Sequence, residues 1–353
     1  MQKLLLKISL FLATLLVAGN LIFYQFHLPR FWGVCYDRLH FYQTHASQYN
    51  TLFIGSSLTR YQINPVLFDS INSTNSVITQ SYNFGVDGAC PTELFSTFKY
   101  LMNNKPAALK YVFVELTLID NFDISQMHTL RRKSSFDINQ YSHALPLTLE
   151  SNYDWSSKKD ILLFDLCNLT EGSFKINMLK DAYDFKKKQA SIDTLSSVTD
   201  FIALSVNDST QGIDTKGKYG NRHQRFLKES LPQLKANTQT ASAMFTDKTF
   251  LTSAKTDAAY TYMVRKMLSI AGQKGIKLIF ILPPRLSKEN YQDLLPVYYS
   301  IPDTNRIQLA DANKYPEFYE VAYSYDIKHI NQYAVPYFTS ALANNFRKIV
   351  ARK

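Results

Sequence analysis

Three residues in this chain have the types and the spacing of a nucleophilic triad. Ser57 follows a short apolar segment, Phe53-Ile54-Gly55, at what the pattern predicts to be a strand-to-loop corner. Asp326 and His329 lie three residues apart in one turn near the other end of the chain. An imidazole beside a serine hydroxyl takes its proton, and a carboxylate holds the imidazole in the required tautomer. The set predicts acyl transfer through a covalent serine intermediate.

Neither half of this set is specific alone. A serine at a loop corner is usually a turn former, and a loop aspartate often caps a helix. A glycine-containing segment, Asn83-Phe84-Gly85-Val86-Asp87-Gly88, lies between the two halves in the chain. The three segments in this order favour a catalytic site over three unrelated turns.

The elements that must position these residues follow an α/β pattern. Short apolar runs, many of them closed by Gly or Pro, alternate with segments of helical spacing, which is typical of a parallel sheet. The predicted strands are Thr51–Gly55, Val77–Phe84, Tyr111–Leu116, Ile276–Leu282 and Arg306–Leu309, and the predicted helices are Pro91–Met102, Thr256–Gly272 and Tyr333–Val350. We therefore predict a doubly wound, mostly parallel sheet of the flavodoxin-like, three-layer type. Ligands of such sheets bind beyond the carboxyl ends of the strands, where residues distant in the chain converge.

A long polar segment interrupts this pattern. Residues 121–254 are mixed in composition and predicted to be irregular, as in a lid, a binding insertion or a subdomain. Arg222, His223 and Arg225 lie in this insertion. They belong either to a solvated loop or to a surface that contacts an anionic or sugar substrate.

The N-terminus has the composition of a membrane segment. Ile8 to Phe26 carries no charge, and about 20 such residues span the hydrocarbon layer. Lys3 and Lys7 precede it, which favours a cytoplasmic N-terminus and an exported domain. A cleaved signal peptide is the rival interpretation, because Val17-Ala18-Gly19 is small enough for a peptidase. The predicted organisation is an anchor at 1–28, a linker at 29–49 and an α/β domain at 50–350. The protein is then single-pass, with its catalytic domain on the extracytoplasmic side.

Composition limits the remaining classes. The chain has 353 residues, 46% of them hydrophobic, and a net charge of +10. These values predict a folded protein, and no nucleic-acid-binding module is recognisable. The positive charge has two interpretations. It belongs to a solvent-exposed surface without a partner, or it attracts the chain to an anionic membrane or a polyanionic glycan. Cys35, Cys90 and Cys167 form no C-x-x-C pair, so we expect no metal site and no cofactor. One disulfide between two of these cysteines is possible if the domain lies outside the cytoplasm.

The motifs resemble those of the SGNH (GDSL-type) hydrolase family, over residues 50–120 and 256–350. Gly55-Ser56-Ser57 is similar to the family's first block, whose last serine is the nucleophile. The 83–88 segment is similar to the second block, whose final glycine, here Gly88, gives an N–H to the oxyanion hole together with the N–H of Ser57. Asp326-x-x-His329 matches the last block. Ser56 stands where many members have Asp, as in the membrane-anchored branch that modifies cell-envelope polymers.

The third block of the family is Gly-x-Asn-Asp, whose Asn completes the oxyanion hole. This chain instead has Glu115-Leu116-Thr117-Leu118-Ile119-Asp120-Asn121. Asn121, Asp120 or a residue of the insertion are the candidates for the missing donor.

The resemblance implies an exported serine esterase or O-acyltransferase that acts on acyl esters of envelope carbohydrate, with partner proteins of envelope modification. Hydrolysis and transfer share one acyl-enzyme and differ only in the acceptor. The alternative is an SGNH-like domain with an impaired oxyanion hole that binds polysaccharide or scaffolds an export complex. A peptidase would use the same triad, but nothing in the sequence indicates a peptide groove.

Overall fold

The computed structural model describes residues 1–25, 34–74, 77–118, 136–151, 153–175, 201, 203–206, 222–246 and 258–351. The chain divides into two compact units, which are described separately. The first comprises 1–41, 122–149 and 153–199, and the second comprises 42–121, 150–152 and 200–353.

The second unit is built on a five-stranded sheet. All pairings between its strands are parallel, in the order β2-β1-β3-β4-β5. The strands are β1 (Thr51–Gly55), β2 (Ser81–Gly85), β3 (Tyr111–Glu115), β4 (Lys277–Leu282) and β5 (Arg306–Gln308). The α/β class and the parallel sheet are confirmed. Because the strand order reverses beside β1, the carboxyl ends of β1 and β3 are where such a sheet opens a crevice.

One predicted strand begins later than expected. The predicted Val77–Phe84 strand is instead Ser81–Gly85, because pairing with β1 starts at the register Thr51↔Ser81. Among the described residues, no strand pairs with the segment before Ser81. Instead, the backbone N–H of Gln80 donates to the side-chain oxygen of Asn50 at 2.9 Å, just before the strand begins.

Twelve α-helices lie within the described residues. They are α1 (Gln2–Gln25), α2 (Val34–His45), α3 (Ser57–Gln62), α4 (Pro65–Ser73), α5 (Pro91–Asn103), α6 (Ile138–Glu150), α7 (Trp155–Phe174), α8 (Arg222–Glu229), α9 (Leu231–Ala243), α10 (Ala258–Gln273), α11 (Lys288–Tyr299) and α12 (Val335–Val350). The helices predicted near α5, α10 and α12 are confirmed within a few residues.

The prediction that the insertion is irregular is wrong for its described part, which contains α6 to α9. Helices α7 and α9 were missed because their apolar residues do not form one stripe. In α7, Phe164 is buried whereas Leu163 and Leu166 are exposed. This helix does carry a local start signal, since the Asp154 carboxylate accepts a hydrogen bond from Ser157 N at 2.9 Å.

The core of the second unit lies on both faces of the sheet. Helix α12 contacts α3 and α4, and helix α10 contacts α5 and α11. On the α4–α12 side, four phenylalanine rings pack between sheet and helices. The rings of Phe53 and Phe113 lie 4.8 Å apart between centroids, and those of Phe68 and Phe346 lie 5.6 Å apart. This packing holds β1 and β3 rigidly side by side.

The N-terminal helix α1 belongs to the first unit. Its segment Gln2–Leu21 has 20 residues and a mean hydropathy of 2.0, long and apolar enough to cross a membrane. It starts earlier than the predicted Ile8, and Phe26 lies outside the described residues. Cys35, Cys90 and Cys167 are all free thiols, so the disulfide left open by the sequence is not formed.

Candidate active site

The structure brings together the three residues of the predicted triad. Ser57 and His329 are 272 positions apart in the chain, yet Ser57 Oγ lies 2.8 Å from His329 Nε2. His329 Nδ1 lies 2.9 Å from both carboxylate oxygens of Asp326. An ionised carboxylate can only accept, so Nδ1 carries the proton and Nε2 is left to accept from the serine hydroxyl. This is the tautomer that a general base requires.

A buried glutamate binds the turn from β1 into α3, which is called the serine corner. Glu115, the last residue of β3, accepts from the backbone N–H of Ser56 and Thr59 at 2.9 and 3.1 Å. It also accepts from the hydroxyls of Ser56 and Thr59 at 2.6 and 2.7 Å. Burial nevertheless raises the pKa of Glu115, and these bonds only partly offset that effect. Four donors on one carboxylate fix the turn that presents Ser57.

Gly55 permits this contact. A Cβ at that position would lie 1.9 Å from Thr59 Oγ1 and 2.6 Å from Glu115 Oε2. Both distances are far below van der Waals contact. The glycine is therefore required by the close approach of Glu115 to the corner, and the strand-to-helix turn depends on it.

The second motif fastens the helix that begins at Ser57. The amide nitrogen of Asn83 donates to the carbonyl oxygens of Thr59 and Ile63, both at 2.8 Å. Asp87 accepts from Arg60 Nη1 at 2.8 Å and from the hydroxyl of Tyr61 at 2.9 Å. This motif thus anchors α3 to the end of β2, beside the nucleophile.

The Asp326–His329 turn is organised by its own backbone. Asp326 Oδ1 accepts from the backbone N–H of Lys328 and of His329, both at 2.8 Å. An isolated antiparallel bridge between Ser324 and Ile330 closes the turn. The backbone of the turn therefore holds the Asp326 carboxylate in the orientation in which it contacts the imidazole ring.

A buried arginine binds the same turn from the inside. Arg285 is 0% exposed and has a φ of 69°, in the left-handed region that non-glycine residues rarely adopt. Its guanidinium donates to the carbonyl oxygens of Asp326, Ile327 and His329 at 2.7, 3.3 and 3.2 Å, and to Ser324 Oγ at 2.8 Å. Burial lowers the pKa of Arg285 to about 10, so it stays charged at neutral pH.

Sequence reasoning missed the roles of Glu115 and Arg285. Both are charged residues at or just beyond the carboxyl end of a buried parallel strand, and that position was the available signal. Their partners lie up to 59 positions away in the chain, beyond what local patterns report.

Ser57 and His329 line a narrow cleft of about 30 Å³. Its walls combine residues that follow β1, β3 and β4 with the Asp326–His329 turn. The lining residues are Ser56, Ser57, Leu58, Glu115, Leu116, Thr117, Leu118, Pro283, Leu286, Lys328 and His329. The volume leaves room for a small group only.

The predicted oxyanion donors are less well placed by the structure. Gly88 has a φ of 64°, which favours glycine, but it is not among the described residues that line the cleft. Asn121 and Asp120 lie outside the described residues. The donor roles of the Ser57 N–H, Gly88 and Asn121 therefore stay predictions.

Of the three basic residues predicted to bind substrate, His223 and Arg225 have described side chains. The ring of His223 stacks on Tyr325 at 6.2 Å between centroids, and its Nδ1 donates to the carbonyl oxygen of Tyr325 at 2.9 Å. Helix α8 thus reaches the residue before Asp326. Arg225 is exposed on α8, and the side chain of Arg222 lies outside the described residues. Substrate binding by Arg222, His223 and Arg225 stays a prediction.

Among the described residues, no group of three or more His, Cys, Asp or Glu side chains could hold a metal ion. Comparison with family models, curated proteins and solved structures found no significant match to this chain.

Proposed function

We propose that this protein is a membrane-anchored serine esterase or O-acyltransferase with an SGNH-type site. The observation that carries the proposal is the 2.8 Å contact between Ser57 Oγ and His329 Nε2, with His329 Nδ1 directed at Asp326. A buried glutamate and a buried arginine hold the two halves in place. Such supports are what a preorganised nucleophile needs.

The reaction follows from the geometry. Ser57 Oγ attacks the carbonyl carbon of an ester while its proton passes to His329 Nε2, and Asp326 stabilises the imidazolium. The alkoxide then leaves with that proton, which produces an acyl-enzyme. Water or a sugar hydroxyl, deprotonated by His329, attacks the acyl-enzyme and frees Ser57.

The substrate class follows from the cleft and from the anchor. The narrow cleft beside Ser57 favours a short acyl group over a long one. The N-terminal helix and the two lysines in it favour an exported domain beside the membrane, where acylated envelope carbohydrate is available. The positive charge of the chain suits a polyanionic glycan.

The test is turnover of 4-nitrophenyl acetate by the full-length protein in detergent. We expect Ser57→Ala to lower kcat by about 10³ or more. Ser73→Ala, which removes an exposed hydroxyl from α4, is the matched control and should keep wild-type turnover. Addition of chitotetraose then distinguishes transfer, which yields an acetylated sugar, from hydrolysis. Folded wild-type protein that is no faster than Ser57→Ala would overturn the proposal and favour a binding domain.

A further inference from the structure

Thr117 carries a buried hydroxyl that has no partner. The residue is 2% exposed and follows β3 by two positions. Within the described part of the chain, its Oγ1 has no hydrogen-bond partner. A buried hydroxyl without a partner is costly, so its retention in a reactive cleft needs an explanation.

The backbone of Thr117 is fixed on both sides. The hydroxyl of Tyr260 on α10 donates to the carbonyl oxygen of Thr117 at 3.0 Å. The preceding N–H, that of Leu116, donates to the carbonyl oxygen of Ile281 in β4 at 2.9 Å. The position of the side chain is therefore set by the sheet and by a core helix.

The sheet register brings Thr117 level with the nucleophile. Ile54 in β1 pairs with Val114 in β3, so Gly55 corresponds by count to Glu115. Ser57 and Thr117 are each two residues further along, and both line the cleft that also contains His329. Rotation about the Cα–Cβ bond exchanges the hydroxyl and the methyl group between staggered positions, so the hydroxyl can turn without backbone movement.

We propose that Thr117 Oγ1 is a hydrogen-bond donor to the oxyanion of the acyl-transfer reaction. This inference rests on the proposed function. When Ser57 Oγ bonds to the carbonyl carbon, the π electron pair moves to the carbonyl oxygen, and the Thr117 hydroxyl donates a hydrogen bond to that oxygen without losing its proton. The pair returns when the alkoxide leaves with the proton from His329. Thr117 thus supplies a side-chain donor at the point where the chain has no Gly-x-Asn-Asp segment.

The test compares Thr117→Val with Thr117→Ser in the full-length protein, using 4-nitrophenyl acetate. Valine keeps the shape and removes the donor, so kcat should fall by about 10²–10³ while KM changes little. Serine keeps the hydroxyl and should stay within about tenfold of wild type. Thr261→Val is the matched control, because Thr261 Oγ1 is also buried without a partner among the described residues but lies on α10, outside the cleft.

The melting temperature gives a second readout. Because the Thr117 hydroxyl has no partner among the described residues, Thr117→Val should melt at the wild-type temperature or above it. A lower melting temperature would reveal an internal hydrogen bond and overturn the inference. Wild-type kcat in Thr117→Val would overturn it while leaving the proposed function intact. Wild-type protein that is no faster than Ser57→Ala would remove both.

Discussion

Two buried ionisable side chains, one acidic and one basic, support the two halves of the candidate site. Glu115 accepts four hydrogen bonds around the serine corner, and Arg285 donates four around the Asp326–His329 turn. Removal of one partner leaves the remaining polar groups buried and unpaired. The resulting loss in folding free energy exceeds what the hydrogen bonds themselves contribute. At the residue scale, both side chains position other groups and neither touches the reacting atoms.

The raised pKa of Glu115 makes stability depend on pH. The folded protein holds this proton above the ordinary pKa of 4.5, at which the unfolded chain loses it. Between that value and the raised pKa, the folded state binds more protons, so the free energy of unfolding falls as pH rises. Glu115→Gln removes this titration. We therefore expect the stability of wild type relative to Glu115→Gln to decrease from pH 4 to pH 8.

Denaturant unfolding of both full-length proteins in detergent measures this trend. Glu229→Gln, at an exposed position on α8, serves as the surface control. A stability difference that stays constant, or that grows with pH, would show that the bonds from Ser56 and Thr59 outweigh the burial of the Glu115 charge.

At the scale of elements, the turn from β1 into α3 depends on Gly55. Gly55→Ala forces a methyl group into Thr59 and Glu115, and we expect a loss of about 3 kcal/mol in the free energy of unfolding. Gly272→Ala is the matched control, because nothing lies within 4 Å of a Cβ there and the residue is inside α10. It should stabilise the protein by about 0.5–1 kcal/mol. Equal effects of the two changes, measured by denaturant unfolding, would contradict this account of the turn.

The elements also show what a sequence can and cannot predict here. The strand at Thr51–Gly55 was predicted at its observed bounds, because an apolar run, Leu52-Phe53-Ile54, that ends in glycine is a local signal. Ser57, Asp326 and His329 were predicted from short motifs with a fixed order. Arg285 was not, because its bonds to the Asp326–His329 turn cross about 40 positions of the chain and leave no periodic trace. Helices α7 and α9 of the insertion were missed for lack of a single apolar stripe.

At the scale of the whole molecule, the proposed function requires that α1 anchors the chain in a membrane and that the site lies on the exported side. Lys3 and Lys7 favour a cytoplasmic N-terminus, and the remainder of the chain would then be exported. Cys167 is exposed, whereas Cys35 and Cys90 are buried, so the chain carries one natural reporter of its own topology among its three thiols.

We expect a membrane-impermeant maleimide to label the full-length protein in intact bacterial spheroplasts. Cys167→Ser should lose that label, and a lysed sample gives the maximum signal. Labelling that appears only after lysis would place the domain in the cytoplasm and would remove envelope carbohydrate as the substrate.

The central claim is that Ser57 is a nucleophile activated by His329. Its most direct test is reaction of the folded, full-length protein with a fluorophosphonate, followed by digestion and mass spectrometry. The account predicts one adduct, on Ser57, and its loss in a His329→Ala variant that unfolds like wild type. An unmodified Ser57 in the folded wild-type protein, or an equally modified Ser57 in His329→Ala, would contradict it.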